Sequence, residues 1–286
     1  MIKISTPATS ANLSVGFDSL AIAFNLYNEF HFEQSPVFRT VGFNNRYTIK
    51  NNLVITSYIA YSKQFLDETK VIPVKVSLVK EDIPISRGLG SSASCILAGV
   101  LAANKIHGFN QSLEECASFA SKLEGHPDNV FACAFGKLTA SFQSESKYLY
   151  DVFYVSNELV FTLLTPDQKV HTKKLRNALK QEVSLQDTVF HLSRMIHVPK
   201  GFRDGNFELL KDVLQDRVHE QYRFPFIPRY QEIQELDNDI ITCISGSGSS
   251  VLLISEKTIT KDLTHLENTF TIKEVNVSNG VKVEVV

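Results

Sequence analysis

The chain has 286 residues, with 29 lysines and arginines against 31 aspartates and glutamates, so its formal net charge at pH 7 is −2. This near-neutral balance gives no sign of the basic surface that nucleic acid or an acidic membrane would attract. A hydrophobic content of 43% and a charged content of 21% are ordinary for a globular protein. The length suits two modest domains that share a cleft.

The sequence shows neither an export signal nor a membrane-spanning run. Its first ten residues lack the apolar segment of a secretory signal, and no stretch approaches about eighteen consecutive apolar residues. The cytoplasm is therefore the expected location. The cysteines lie among apolar neighbours without a Cys-x-x-Cys pair, which predicts buried free thiols in a reducing compartment. They are Cys95, Cys116, Cys133 and Cys243.

The N-terminal part of the chain predicts a strand, a polar loop and then further strands. Residues 2–4 begin a short strand, and the small residues of 7–18 predict an irregular loop that contributes little to the core. Asn12 and Asp18 are the side chains in this loop able to bind a ligand, although Asx turns explain them more simply. Residues 20–50 alternate apolar and polar positions, as strands do. Residues 52–66 carry apolar residues at helical spacing, and Asn52 is the expected helix cap.

Residues 84–94, Pro-Ile-Ser-Arg-Gly-Leu-Gly-Ser-Ser-Ala-Ser, give the strongest local signal. Gly88 and Gly90 allow the backbone to approach a ligand closely. Ser91 and Ser92 supply hydroxyls and an N-cap for the apolar helical run that follows. Free amides that lead into a helix N-terminus attract anions, which predicts a phosphate loop. An ordinary helix cap after a tight turn is the alternative.

Residues 84–94 are not expected to form any of three well-known motifs that contain similar residues, although Gly88, Gly90 and Ala93 fit the spacing of a dinucleotide fingerprint. A Walker A loop requires Gly-x-x-x-x-Gly-Lys-Ser/Thr, which occurs nowhere in the chain. A dinucleotide fingerprint requires a strand that runs straight into the first glycine, and Pro84 interrupts the strand predicted before it. A nucleophile elbow requires glycine two residues after the serine, whereas Ser92 is followed by Ala93 and Ser94.

A second candidate group lies at the end of a helix that begins with a capping box at residues 112–115. Glu124 ends this helix, where a carboxylate opposes the helix dipole and needs another reason to be present. Mg²⁺ supplies one, because it prefers hard oxygen ligands and takes few of them from protein; Ser92 and Glu124 fit that role. A solvated surface carboxylate is the alternative. His126 and Asp128 are typical of a turn rather than of a His–Asp general base.

The chain is expected to divide into two domains, 1–155 and 156–286. The apolar run 160–164 predicts a buried strand that begins a second sheet, and three helical segments are predicted within 172–218. A second glycine loop within residues 244–254 precedes a strand-like run. We expect this loop to pack beside the phosphate loop and the substrate rather than to perform chemistry.

These motifs resemble those of the GHMP kinase superfamily, and in particular of homoserine kinases. Residues 84–93 are similar to the phosphate loop of the superfamily, Pro-x-x-x-Gly-Leu-Gly-Ser-Ser-Ala. Residues 7–18 and 124–129 are similar to two homoserine kinase segments, Pro-Ala-Thr-Ser-Ala-Asn-Leu-x-x-Gly-Phe-Asp and Glu-Gly-His-Pro-Asp-Asn. The segments Thr-x-x-x-Arg, ending at Arg176, and Asp-x-x-His-Glu-x-x-Arg, ending at Arg223, also resemble that family. Together they cover nearly the whole chain in the family's order.

The resemblance implies a site for ATP, Mg²⁺ and L-homoserine. Ser92 and Glu124 would ligate Mg²⁺, and with Asn129 they form the predicted catalytic set. The arginines suit the substrate carboxylate, because a guanidinium grips a carboxylate with two hydrogen bonds. The amino acid would contact Asn12, Asp18, Asn129, Arg176 and Arg223. ATP would contact Pro84, Ile85, Ser86, Arg87, Gly88, Leu89, Gly90, Ser91, Ser92, Ala93 and Ser94.

Asn129 stands where related kinases such as mevalonate kinase have an aspartate base. An amide cannot usefully accept a proton, so the resemblance implies that the substrate hydroxyl is oriented rather than deprotonated by the protein. Its proton would pass to a phosphate oxygen or to solvent. Phosphoryl transfer tolerates this, because it depends chiefly on positioning and charge neutralisation.

The sequence departs from the homoserine kinase pattern in three places. Ser14 and Val15 replace a Gly-Pro pair, and residues 180–181 lack a nearby proline that is common in the family. The second glycine loop has serines where the superfamily usually has alanine, proline and threonine. These are Ser247, Ser249 and Ser250.

The resemblance therefore implies an α+β, two-domain GHMP kinase fold. A mixed α/β nucleotide-binding domain would meet a C-terminal ferredoxin-like α/β sandwich, with the active site between them. The predicted activity is ATP-dependent phosphorylation of L-homoserine to O-phospho-L-homoserine in threonine biosynthesis, with Mg²⁺ as cofactor. Nucleic-acid and membrane partners are not expected, and a homodimer is left open.

Two other functions stay open on the sequence alone. One is another GHMP small-molecule kinase of the mevalonate type, which Asn129 disfavours because it replaces the acidic base. The other is a non-catalytic nucleotide-binding protein on the same scaffold, which the presence of both Ser92 and Glu124 disfavours.

Overall fold

A computed structural model describes residues 1–145, 147–167, 179–180, 182–236, 239–260 and 263–286. Within these ranges the larger sheet has seven strands: β1 (Ile2–Asn12), β2 (Gly16–Gln34), β3 (Arg39–Val41), β4 (Val74–Glu81), β5 (Leu138–Gln143), β6 (Tyr148–Phe153) and β11 (Lys282–Val285). Their order is β11-β1-β2-β4-β3, with β5 paired to β2 and β6 to β5. The pairs are antiparallel except β3 with β4.

The smaller sheet comprises β7 (Val160–Pro166), β8 (Ile241–Ile244), β9 (Val251–Ser255) and β10 (Phe270–Val275). Its order in the described residues is β10-β7-β9-β8, and all its pairs are antiparallel. When the strands of this sheet are numbered in chain order from 1 (β7) to 4 (β10), their spatial order is 4-1-3-2. This is the order of a ferredoxin-like sheet. The predicted second sheet and its type are confirmed.

Helices pack on both sheets, and several begin where the sequence places a capping residue. Asn52 accepts hydrogen bonds from the amides of Val54 and Ile55, and the capping box at residues 112–115 forms as predicted. No helix within the described ranges has both the length and the apolar content needed to cross a bilayer. The helices are α1 (Leu53–Ser62), α2 (Ser91–His107), α3 (Leu113–Glu124), α4 (Asp128–Phe135), α5 (Leu185–Met195), α6 (Val198–Asp204), α7 (Phe207–Val213), α8 (Glu220–Arg223) and α9 (Tyr230–Gln234), with 3₁₀ turns at Glu68–Lys70, Phe224–Phe226 and Thr264–Leu266.

The two sheets share part of their hydrophobic core. One cluster lies between the larger sheet and α1 to α4, and a second joins the larger sheet to the smaller one. In the second cluster the rings of Phe24 in β2 and Phe161 in β7 have centroids 5.4 Å apart. The C-terminal strand β11 pairs with β1 and so returns to the larger sheet. A domain boundary near residue 155 stays a prediction.

The structure corrects two predictions about secondary structure. Residues 7–12 are not an irregular loop, because they continue β1 and pair with β2; a register shift after Pro7 accommodates the residue that lacks an amide proton. The helix that begins after Asn206 ends at Val213, so Val218 lies outside it. The helix predicted from residue 172 lies outside the described residues.

Candidate active site

One open cleft brings together most of the predicted site residues. The phosphate loop, the start of α2, the end of α3 and the second glycine loop (residues 245–250) form its polar end. Asn12, Asp18, Ser92, Glu124, Asn129 and Arg223 all line it, together with residues 85–91 of the phosphate loop. Pro84, Ala93 and Ser94 do not line it, and Arg176 lies outside the described residues.

The phosphate loop is confined between β1 and the second glycine loop. Its backbone has positive φ angles at Ser86, Gly88 and Gly90. A Cβ at Gly88 would lie 2.1 Å from the Ser245 carbonyl oxygen, and one at Gly90 would lie 2.0 Å from Thr9 Oγ1. Both glycines are therefore required by backbone conformation and by close packing.

The first turn of α2 differs from the prediction in its cap. Gly90 in the left-handed conformation, rather than a serine, is the N-cap, and it makes no side-chain hydrogen bond. Ser91 and Ser92 are the first two helical residues, and both line the cleft. The main-chain amides of this turn have no partner within the helix, which suits an anion at this end of the cleft.

Arg87 anchors the phosphate loop rather than projecting into solvent. Its guanidinium is buried and donates to the carbonyl oxygens of Ile85, Pro166 and Asp167, the last two at the end of β7. Burial lowers the pKa of Arg87 from its ordinary value. The side chain thus ties the loop to the smaller sheet.

The second glycine loop packs against the phosphate loop, as predicted. Ser245 Oγ donates to the Gly88 carbonyl at 2.8 Å, and the Ser250 amide donates to the Arg87 carbonyl at 3.0 Å. Gly246 and Ser247 line the cleft.

The two predicted metal ligands are in contact. Ser92 Oγ donates to Glu124 Oε2 at 2.6 Å, because α3 ends beside the first turn of α2. These oxygens are the hard donors that Mg²⁺ prefers. The described residues contain no group of three or more His, Cys, Asp or Glu arranged to hold a metal. The donor set therefore fits an ion that also takes phosphate and water oxygens, and it does not fit a closed protein cage.

Asn129 is held by two neighbours whose roles the sequence does not reveal. Thr9 Oγ1 donates to Asn129 Oδ1 at 2.7 Å. Asp128 Oδ1 accepts from Asn129 Nδ2 at 3.2 Å and from its backbone amide at 2.6 Å. The same carboxylate lies 2.9 Å from His126 Nδ1. The contact between His126 and Asp128 therefore exists, but the same Asp128 carboxylate also orients the side-chain amide of Asn129.

The second glycine loop joins the N-terminal segment to α8. The carbonyl oxygen of Gly246 accepts from Asn12 Nδ2 at 2.6 Å and from Arg223 Nη1 at 3.0 Å. Asn12 Oδ1 accepts from the Asp18 amide at 3.0 Å. The contact with Asp18 spans six residues, so it is not the local bond of an Asx turn, and Asn12 also lines the cleft.

Arg223 belongs to a buried polar network around α8. Its Nη1 donates to His219 Nδ1 at 3.0 Å, so the His219 proton lies on Nε2, which donates to the Ser14 carbonyl at 2.8 Å. Burial lowers the pKa of His219 to about 4. Asp216 Oδ2 accepts hydrogen bonds from the backbone amides of residues 218–220, and these bonds fix the start of α8.

Glu220 completes this network beneath the cleft. Its Oε1 accepts from the Ile244 amide at 2.8 Å and from Ser14 Oγ at 3.2 Å. Burial, reinforced by nearby Asp216, raises the pKa of Glu220 to about 8, although Arg223 acts in the opposite direction. The carboxyl is therefore protonated near neutral pH.

The cleft also has an apolar wall, which the sequence did not reveal. Alternation within residues 20–50 predicted strands, but periodicity cannot tell which face borders a cleft rather than the core. The Phe30 and Phe43 rings are stacked, with centroids 6.3 Å apart. The apolar wall consists of Phe30, Phe43, Tyr47, Leu53 and Leu78.

Comparison with known proteins identifies the family. Residues 52–137 match the model of the GHMP kinases N terminal domain. A homoserine kinase of Clostridium beijerinckii is 34% identical over 263 residues, which cover 90% of this chain and 87% of that protein. A homoserine kinase of Clostridium botulinum is 32% identical over 291 residues, covering 97% and 96%. The chain belongs to the homoserine kinase family.

The fold of this homoserine kinase family member matches that of a solved relative. A crystal structure of homoserine kinase from Cytophaga hutchinsonii superposes with a TM-score of 0.86 at 26% identity, covering 99% of this chain and 97% of that one. The predicted family and the two-domain α+β GHMP kinase fold are confirmed. Membership also favours the homoserine kinase interpretation over the mevalonate-type and non-catalytic alternatives.

The Glu220 carboxyl should make the stability of this homoserine kinase family member fall with rising pH. Its folded-state pKa of about 8 lies above the ordinary value of 4.5, so its contribution is complete below pH 4.5 and is lost as pH rises through about 8. Between about pH 7 and about pH 9 the loss should be about 1 kcal/mol. His219 stays neutral in this window.

Urea unfolding of Glu220→Gln at the two pH values measures this loss. The glutamine keeps the Oε1 acceptor but cannot ionise, so its free energy of unfolding should fall less than that of the wild type. Glu256→Gln, at an exposed position, is the control and should keep the full pH dependence. Equal slopes for Glu220→Gln and wild type would contradict the assignment.

Proposed function

We propose that the protein transfers the γ-phosphoryl group of ATP to the side-chain hydroxyl of L-homoserine, which yields O-phospho-L-homoserine and ADP. The observation that carries this proposal is that a glycine-rich phosphate loop, a hydroxyl–carboxylate pair, an oriented amide and a buried guanidinium line one cleft. Each matches one part of the reactants: the phosphates, the counter-cation, the acceptor hydroxyl and the amino-acid carboxylate.

The phosphates of ATP would bind at the start of α2. The amides of residues 88–92 and the dipole of a 17-residue helix favour negative charge there. The apolar wall around Phe43 and Tyr47 would accept the adenine, because small-molecule sites are lined mainly by hydrophobic and aromatic side chains.

Ser92 and Glu124 would hold Mg²⁺ beside the phosphates. When bound there, the ion neutralises phosphate charge and fixes the direction of the transferred group. The protein contributes the geometry, because the rigid helix α2 supplies the hydroxyl and the rigid helix α3 supplies the carboxylate. Ser92 Oγ and Glu124 Oε2 lie 2.6 Å apart. A positive ion also explains why a carboxylate ends α3.

L-Homoserine would bind between the second glycine loop and the N-terminal segment. Arg223 would grip the carboxylate, because a buried guanidinium that borders a cleft interacts strongly with a planar anion. Asp18 would attract the ammonium group, and Asn12 would hold the loop around it. Arg176, outside the described residues, is proposed as a second carboxylate contact on its sequence motif.

Asn129 would orient the acceptor hydroxyl. The hydroxyl oxygen forms a bond to the γ-phosphorus while the bond from that phosphorus to the bridging oxygen breaks, and ADP leaves with the electron pair. The hydroxyl proton passes to a phosphate oxygen or to solvent. The amide contributes by holding the nucleophile in line rather than by taking its proton.

The decisive experiment measures ADP formation by the purified protein with ATP and Mg²⁺. Added L-homoserine should raise the rate by at least about a hundredfold over ATP alone, which is well within the range of enzymatic acceleration. Mevalonate at the same concentration should leave the rate near background. Equal rates with mevalonate, or ATP binding without turnover, would favour the alternatives.

Glu124→Gln should reduce kcat by about a hundredfold and raise the Mg²⁺ concentration needed for half-maximal rate. The amide keeps the length of the side chain but removes the charge that holds the cation. Glu114→Gln, in the first turn of the same helix, removes one charge far from the cleft and serves as the control. Titration of both variants with Mg²⁺ measures the difference. An unchanged Mg²⁺ requirement would remove Glu124 from the metal site.

Arg223→Ala should raise the KM for L-homoserine by at least about tenfold, while the KM for ATP changes by less than about threefold. Loss of a charge-assisted pair to the carboxylate accounts for this size of effect. Arg217→Ala, which removes a neighbouring arginine outside the cleft, should change neither constant. Steady-state kinetics with each substrate varied measures both. Equal effects on both KM values would place Arg223 outside the amino-acid site.

A further inference from the structure

Thr9 contacts both sides of the reaction site although it does not line the cleft. It lies fully buried in β1, directly beneath the phosphate loop. Its amide donates to the Leu89 carbonyl at 3.3 Å, and its hydroxyl donates to Asn129 Oδ1 at 2.7 Å. Gly90 packs so closely on it that an added Cβ would lie 2.0 Å from Thr9 Oγ1. One strand residue thus bonds the loop proposed for ATP and the amide proposed for the acceptor.

The neighbouring carboxylate decides which way the Asn129 amide faces. Asp128 Oδ1 can only accept, so it must receive Asn129 Nδ2, and Asn129 Oδ1 is then turned towards the Thr9 hydroxyl. With both partners in place the amide has one orientation. It keeps one N–H and one oxygen lone pair for a group in the cleft.

We propose that Thr9 is a positioning residue, which holds the Asn129 amide at a fixed distance and angle from the phosphate loop. This inference rests on the proposed function. Without a protein base, the rate depends on alignment of the acceptor hydroxyl with the γ-phosphorus, and small displacements of the aligning group are costly. Thr9 sets this alignment from behind the cleft, through one side-chain and one backbone hydrogen bond.

Two substitutions separate the hydroxyl from the shape of the side chain. Thr9→Val keeps the branched shape and the backbone bond but removes the donor to Asn129. Thr9→Ser keeps the donor and removes only a methyl group. Thr139→Val is the matched control, because Thr139 is also buried in the larger sheet and its hydroxyl makes one bond, to the Gly136 carbonyl at 2.8 Å, outside the cleft.

The kinetic readout distinguishes positioning from folding. For Thr9→Val we expect kcat to fall by at least about tenfold, with the KM values for ATP and L-homoserine each within about threefold of wild type. The ratio of ADP to O-phospho-L-homoserine should rise above one, because water competes with a misaligned acceptor. This ratio is independent of the folded fraction. Thr9→Ser should have a kcat within about threefold of that of the wild type. Thr139→Val should have the kcat of the wild type, even if its Tm is lower.

Several results would overturn the assignment. They are a kcat of Thr9→Val within about twofold of that of Thr139→Val, a loss in Thr9→Ser as large as that in Thr9→Val, or a product ratio that stays at one while activity falls. If Thr9→Val does not fold, Thr9→Ala, which also removes the donor, is judged by the same criteria for kcat and product ratio. A wild-type protein that makes no O-phospho-L-homoserine would overturn the proposed function, and this inference with it. An active wild type with an unaffected Thr9→Val would overturn only the inference.

Discussion

The lack of side chains at Gly88 and Gly90 is the constraint on which the cleft depends. Gly88 lies against the Ser245 carbonyl, and Gly90 lies against the Thr9 hydroxyl. A Cβ at Gly88 would lie 2.1 Å from the first oxygen, and one at Gly90 would lie 2.0 Å from the second, which is too close for either to fit. The phosphate loop is thereby clamped between β1 and the second glycine loop. A helix N-terminus held this way presents its amides at a fixed place, which lowers the entropic cost of binding a triphosphate.

The polar groups beneath the cleft act as a support for this arrangement. The Gly246 carbonyl is shared by Asn12 and Arg223, so the N-terminal segment, the second glycine loop and α8 converge on one atom. Neutral His219 accepts from Arg223 without competing for an incoming anion. Arg223 is itself buried, and burial strengthens a charge interaction that water would otherwise screen.

The elements that the sequence located correctly are those set by local chemistry. The caps at Asn52 and Ser112 form because their side chains bond amides two or three residues away. The contact of Ser92 with Glu124 was anticipated from ligand chemistry, and the two residues meet through packing of α2 against α3. The strand at residues 7–12 was missed, because small polar residues give no periodic signal and only the antiparallel neighbour β2 makes them a strand.

The sequence by itself determined the family, the order of the motifs and the residue types that suit phosphate, cation and carboxylate. These are properties of short segments, because a glycine, a cap or a charged group acts on the backbone and side chains within a few residues of it. The tertiary structure alone decided that Gly90 caps α2, that Asp128 and Thr9 bond the Asn129 amide, and that the apolar wall lines the cleft. Such contacts join residues far apart in the chain, as Thr9 and Asn129 are, and their energy comes from burial that no local pattern encodes.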